Sequence, residues 1–118
     1  MAQVMFYRYI SHPGEVKQIR NERKIKSANP QGTWFTTVRY KDPDEAQRKL
    51  ALSKAPTHRV GPISADEMPD FDIPLRPVAP ANNQPGGGVE ARIKGEVWIF
   101  GLYEFKGDIY LPLHDKIK

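Results

Sequence analysis

Three consecutive glycines, Gly86, Gly87 and Gly88, follow Pro85 and run straight into Val89-Glu90-Ala91-Arg92-Ile93. Glycine loses more backbone freedom on folding than any other residue, so a triplet implies positive φ or a close approach of the backbone. The run after it alternates apolar and charged residues, the period of a strand. The stretch Asn82 to Glu90 therefore predicts a mobile loop above one carboxylate, Glu90, at the mouth of a strand. A carboxylate held there can polarise a hydroxyl or stabilise a developing cation. The same spacing also suits a turn whose glutamate simply faces water.

The chain has 118 residues, enough for one domain over 1–118 with a single core. It contains no cysteine and three scattered histidines, His12, His58 and His114, so neither a disulfide framework nor a zinc site is expected. No apolar run approaches membrane-spanning length and no signal-peptide core is visible, which points to action in a cytosol. The net charge of +4 is unevenly spread. Residues 1–60 carry 12 Lys and Arg against 5 Asp and Glu, and residues 61–118 carry 6 against 9. A basic half attracts phosphate from a nucleic acid or a dinucleotide, or it is a solvated surface.

Along the chain, Val4 to Ile10 reads as a strand that puts Phe6, Arg8 and Ile10 on one face. Arg8 between apolar neighbours needs a partner, either an internal carboxylate or the phosphate or ribose of a ligand. Ser11 is a plausible cap for a helix ending near Lys24, and Ser27 to Gly32 is a loop. Thr33 to Tyr40 predicts a second strand in which Trp34 and Phe35 either pack in the core or line a polar-aromatic cleft. Asp42-Pro43-Asp44-Glu45 is a strong helix start, with Ala46, Leu50 and Leu52 turned to the core and a stop before Pro56. His58 to Ile63 reads as a short strand. Ser64 to Pro80, with four prolines, reads as an irregular crossing. Val97 to Phe105 and Ile109 to Leu111 flank Lys106-Gly107-Asp108 as a hairpin, followed by a loose tail from Pro112.

The order is a strand bearing Arg8, a helix, a Thr/Trp/Phe strand, a helix, a strand, a long loop, then a glycine loop opening a strand with Glu90. This order resembles the ADP-ribosyltransferase superfamily, in the branch whose motifs are an arginine on strand one, a hydroxyl-aromatic strand and a later glutamate. More narrowly, the chain resembles the tips of bacterial polymorphic (Rhs-type) toxins that modify elongation factor Tu. The shared stretches are Tyr7-Arg8-Tyr9, Gly32-Thr33-Trp34-Phe35-Thr36, Ala46-Gln47-Arg48-Lys49-Leu50-Ala51-Leu52 and Gln84-Pro85-Gly86-Gly87-Gly88-Val89-Glu90. The Gln84 to Gly88 stretch is also similar to NAD glycohydrolase toxins of the tuberculosis necrotizing type.

The resemblance implies a small α+β fold, two small antiparallel or mixed sheets around an NAD cleft with two short helices. It implies Glu90 and Arg8 as catalytic residues, and Arg8, Tyr9, Thr33, Trp34, Phe35, Thr36 and Gln84 as the NAD-binding set. Asn82, Asn83, Gly86, Gly87 and Gly88 would form a loop that recognises the acceptor. NAD would be the substrate, no metal is needed, and a macromolecular acceptor, protein rather than nucleic acid, is implied. An immunity protein would be a further partner. Arginine-modifying relatives carry a second glutamate two residues before the catalytic one, where this chain has Gly88, so an arginine acceptor is not implied. The start Met1-Ala2-Gln3 fits a free-standing protein or a tip excised from a larger delivery protein. Two other functions fit the residues: NAD hydrolysis with water as acceptor, and a basic RNA-binding module in which Glu90 is incidental.

Overall fold

The computed structural model describes residues 4–26 and 32–112. Nine short strands and two α-helices appear among them. The strands are β1 (Met5–Ile10), β2 (Lys24–Lys26), β3 (Thr33–Phe35), β4 (His58–Ser64), β5 (Phe71–Pro77), β6 (Val89–Ile93), β7 (Glu96–Trp98), β8 (Gly101–Glu104) and β9 (Ile109–Pro112). The helices are α1 (Pro13–Glu22) and α2 (Pro43–Leu50), and a single 3₁₀ turn spans Ala65–Glu67. This is a small α+β fold built from several antiparallel sheets.

The strands form three sheets rather than two: β1-β4-β8-β9, β3-β6-β5 and the pair β2-β7. Every pairing is antiparallel. One bridge ties the first two sheets together, with Tyr7 N–H donating to the Thr36 carbonyl at 2.7 Å and Thr36 N–H to the Tyr7 carbonyl at 2.9 Å. The main core lies among the sheets and α1, with Phe6, Ile10, Ile19, Ile25, Phe35, Val60, Ile93 and Leu102 all nearly inaccessible. A second cluster of Tyr9, Tyr40 and Ala46 joins the four-stranded sheet to α2. Arg59 is buried beside that cluster with its guanidinium 4.3 Å over the Tyr103 ring, and its Nε has no hydrogen-bond partner.

The structure departs from the sequence expectations at several points. His12, not Ser11, caps α1, its Nδ1 accepting the Gly14 amide at 2.9 Å. Pro13 holds the first helical position, which leaves the cap to the residue just before it. The helix stops at Glu22, Arg23 turns left-handed, and the next three residues form β2. The second strand ends at Phe35 instead of Tyr40, because Thr36 leaves the ladder to bridge Tyr7 and its hydroxyl accepts the Val38 amide. The proline-rich crossing contains β5, a seven-residue strand. It lies at the edge of its sheet and carries two register shifts, the setting in which a strand tolerates Pro74 and Pro77. The apolar run Val97 to Phe105 is divided between β7 and β8, which belong to different sheets. The hairpin of β8 and β9 forms as expected. The rest of the expected tail and most of the expected loop after Lys26 lie outside the described residues.

The glycine loop is fastened rather than mobile. Gly86 N–H donates to the Arg48 carbonyl at 2.9 Å and Gly88 N–H to the Lys49 carbonyl at 3.0 Å. The last carbonyls of a helix run short of partners within it; the Gly88 amide supplies one for Lys49, and the Gly86 amide adds to the long 3.4 Å bond from Ala51 to Arg48. A methyl group on Gly86 would stand 2.5 Å from the Val78 carbonyl oxygen, at a φ of +72°. Gly87 has a φ of +98° but faces open space. Alanine at Gly87 should therefore cost about 1–2 kcal/mol from backbone strain alone. Gly86→Ala should cost about 1–3 kcal/mol more through steric overlap. Urea denaturation of the two variants checks this, and equal midpoints would contradict it.

Candidate functional site

A cavity of about 430 Å³ opens where β1, β3, the start of α1 and the end of α2 converge. Arg8, Tyr9, Trp34, Phe35, Thr36, Asn82 and Glu90 line it, together with Glu15 and the Leu50-Ala51-Leu52 segment. Thus residues from each of the stretches singled out in the sequence meet at one place. Thr33, Gln84, Asn83 and the three glycines do not line it. Thr33 is buried on the core face of β3, and Gln84 closes a tight turn by exchanging backbone hydrogen bonds with Ala81.

Arg8 is held on three sides. Its Nε donates to Glu15 Oε2 at 2.6 Å, its Nη2 to Glu15 Oε1 at 2.9 Å and its Nη1 to the Trp34 carbonyl at 3.2 Å. A guanidinium has five N–H donors, so one on each terminal nitrogen is left. The internal carboxylate is therefore Glu15. Glu15 is hard to single out from sequence, since an acidic residue in the first turn of a helix is also what the helix dipole favours.

Glu90 opens β6 and stands opposite Arg76 of β5, whose Nε is 3.2 Å from Glu90 Oε2. Arg76 is hidden from sequence by its proline-rich segment, which reads as an irregular crossing and is the strand β5. On the same face of the sheet, Arg92 pairs with both oxygens of Asp72. The guanidinium groups of Arg76 and Arg92 lie 4.9 and 5.6 Å from the centre of the Trp34 ring. Strand alternation explains this grouping: Glu90 and Arg92 point to one face of β6, and Ala91 and Ile93 to the core. Trp34 is accordingly a cleft residue, whereas Phe35 is 2% exposed and packs in the main core.

Every position of the expected acceptor loop has a structural role. Asn82 and Asn83 have φ of 54° and 61°, the left-handed pair that a two-residue hairpin turn requires. Asn82 Nδ2 also donates to the Ala51 carbonyl at 2.9 Å, adding a third tie to the end of α2. Gly87 N–H donates to the Val78 carbonyl at 3.0 Å, although a side chain there would face open space; Asn82, Asn83 and Gly87 are exposed, and Gly86 and Gly88 are buried.

A scan against protein-family models finds no matching family, and searches of curated proteins and of solved structures find no match. No group of three or more His, Cys, Asp or Glu among the described residues is placed to hold a metal ion. No helix among them is long and apolar enough to cross a membrane.

Tyr9 reaches the cavity without a free hydroxyl. Its oxygen donates to the Val38 carbonyl at 3.1 Å and accepts the Tyr40 amide at 2.6 Å. Burial pushes its phenol up to about 12, against a smaller opposing effect of the Tyr40 amide. Burial also raises Tyr40. The folded chain keeps the Tyr9 proton to about pH 12, whereas the unfolded phenol releases it near pH 10. Its contribution to stability should thus be complete below about pH 10 and fall as pH rises towards 12. Urea denaturation between about pH 9 and 11.5 should show falling stability, with a shallower fall in Tyr9→Phe. An unchanged slope in that variant would contradict the assignment.

Proposed function

We propose that this chain cleaves the nicotinamide–ribose bond of NAD and transfers ADP-ribose to a macromolecular acceptor. The acceptor class we favour is a protein of the translation machinery, such as elongation factor Tu. The observation that carries this reading is the convergence of Arg8, Trp34, Thr36 and Glu90 on one cavity. They come from three separate stretches of the chain and match, in order, the three motifs of the ADP-ribosyltransferase resemblance.

In this mechanism Arg8 holds NAD through its two remaining N–H groups. Trp34 offers a ring for the nicotinamide, a role unsuited to the buried Phe35. Glu90 accepts a hydrogen bond from the 2′-hydroxyl of the nicotinamide ribose. As the C–N bond breaks, its electron pair passes to the pyridinium nitrogen and nicotinamide leaves neutral. Positive charge then develops on the ribose, where a nearby carboxylate acts electrostatically. The acceptor nucleophile attacks C1′ and gives up its proton. Water in the same place yields free ADP-ribose. The fastening of the glycine loop favours this hydrolytic outcome as a second reading, since the Gly86, Gly87 and Gly88 amides are all tied to carbonyls of the chain itself.

Incubating radiolabelled NAD with the protein and a cell extract separates the outcomes. Label on a protein band supports transfer, free ADP-ribose supports hydrolysis, and neither product with RNA retained supports a basic RNA-binding module. Glu90→Gln is expected to keep the fold, because the Arg76 pair it loses is an exposed one contributing about 0–1 kcal/mol. Nicotinamide release should fall by roughly 10²–10³. Release near the wild-type rate would rule out Glu90 as the catalytic carboxylate.

A further inference from the structure

We infer that Arg8 and Glu15 act together as a reader of a ribose hydroxyl, with Glu15 as the acceptor half of the site. The inference rests on the NAD reading above and assigns a further binding residue to it. Both residues line the cavity. Their side chains are 21% and 24% exposed, so the pair is neither sealed in the core nor free in water.

The two-point contact between them uses one lone pair on each Glu15 oxygen. A carboxylate offers about four such sites, so each oxygen keeps acceptor capacity beside the two N–H groups left on Arg8. The charges cancel within the pair. A phosphate coming to Arg8 would also meet the negative charge of Glu15, which weakens the attraction. A hydroxyl meets no such opposition: it accepts from Arg8 and donates to Glu15. The vicinal diol of a ribose can make both contacts with adjacent oxygens. Its recognition needs a donor and an acceptor fixed side by side, and the Trp34 carbonyl adds the third hold that keeps the guanidinium in place.

The test is the discrimination between hydroxyl and hydrogen, which a merely structural ion pair would leave unchanged. Isothermal titration measures binding of NAD and of four analogues, each lacking the 2′- or 3′-hydroxyl of one ribose. Wild-type protein should bind at least one analogue about tenfold or more weakly than NAD, the loss expected when a hydrogen bond to a charged group is removed. In Glu15→Gln that penalty should shrink to about threefold or less. Glu15→Asp is a second variant that keeps the charge near Arg8 and retracts it from the cavity. It should lose the discrimination too, which covers the case of a Gln variant that does not fold. The inference is overturned if wild type binds NAD but the folded variants keep the full penalty. Wild type that binds all four analogues as well as NAD also overturns it. If wild type binds no NAD, the NAD reading itself fails and the inference falls with it.

Discussion

The end of α2 and the glycine loop depend on each other, and the cavity depends on both. A helix leaves its last carbonyls without partners, and burying them that way would cost on the order of 1–3 kcal/mol each. In this chain the Gly86 and Gly88 amides and the Asn82 side chain meet the carbonyls of Arg48, Lys49 and Ala51. Such contact requires a backbone that comes close. A Cβ on Gly88 would lie 2.8 Å from the Tyr40 hydroxyl and 3.0 Å from the Lys49 oxygen. The loop is thus the clamp that sets the start of β6, and with it Glu90, against the Leu50–Leu52 wall of the cavity.

On this frame the charged side chains are arranged as pairs. Glu15 holds Arg8, Arg76 faces Glu90, and Asp72 holds Arg92. The Arg92 bridge keeps the Asp72 carboxyl below its usual range. Exposed pairs such as Arg76–Glu90 and Arg92–Asp72 add little stability, and their main effect, like that of the half-buried Arg8–Glu15 pair, is to orient. Arg76 and Arg92 both lie over Trp34, which becomes the centre of a polar-aromatic face on the three-stranded sheet. The face borders the cavity at Trp34 and Glu90, the two residues that the proposed chemistry places on the nicotinamide and its ribose.

Much of this was legible from the residues. The Asp42-Pro43 start of α2, the strand after Gly88 and the final hairpin follow local rules of capping, alternation and turn formation, and they appear as expected. What local rules do not carry is which segment completes another. The glycine triplet looked like a flexible cover because its partners, the carbonyls of α2, lie some forty residues earlier. Strand β5 was hidden by its prolines, which an edge position tolerates, and Arg76 was lost with it. Glu15 had a sufficient local explanation in the helix start. The partition of Trp34 and Phe35 between cleft and core needed only the strand period and the knowledge of which face was covered.

If the cavity beside Trp34 takes NAD, a tryptophan signal should report it. The chain has two tryptophans, Trp34 on the cleft and Trp98 on β7, the strand paired with β2; Trp98 does not line that cavity and is 60% exposed. Each gives one indole N–H resonance in a nitrogen–proton correlation spectrum, so the protein carries its own reporter and its own control. Titration with NAD should shift the Trp34 signal in a saturable way and leave the Trp98 signal in place. A Trp34 signal that stays still at saturating NAD, or a shift confined to Trp98, would rule NAD out of that cavity.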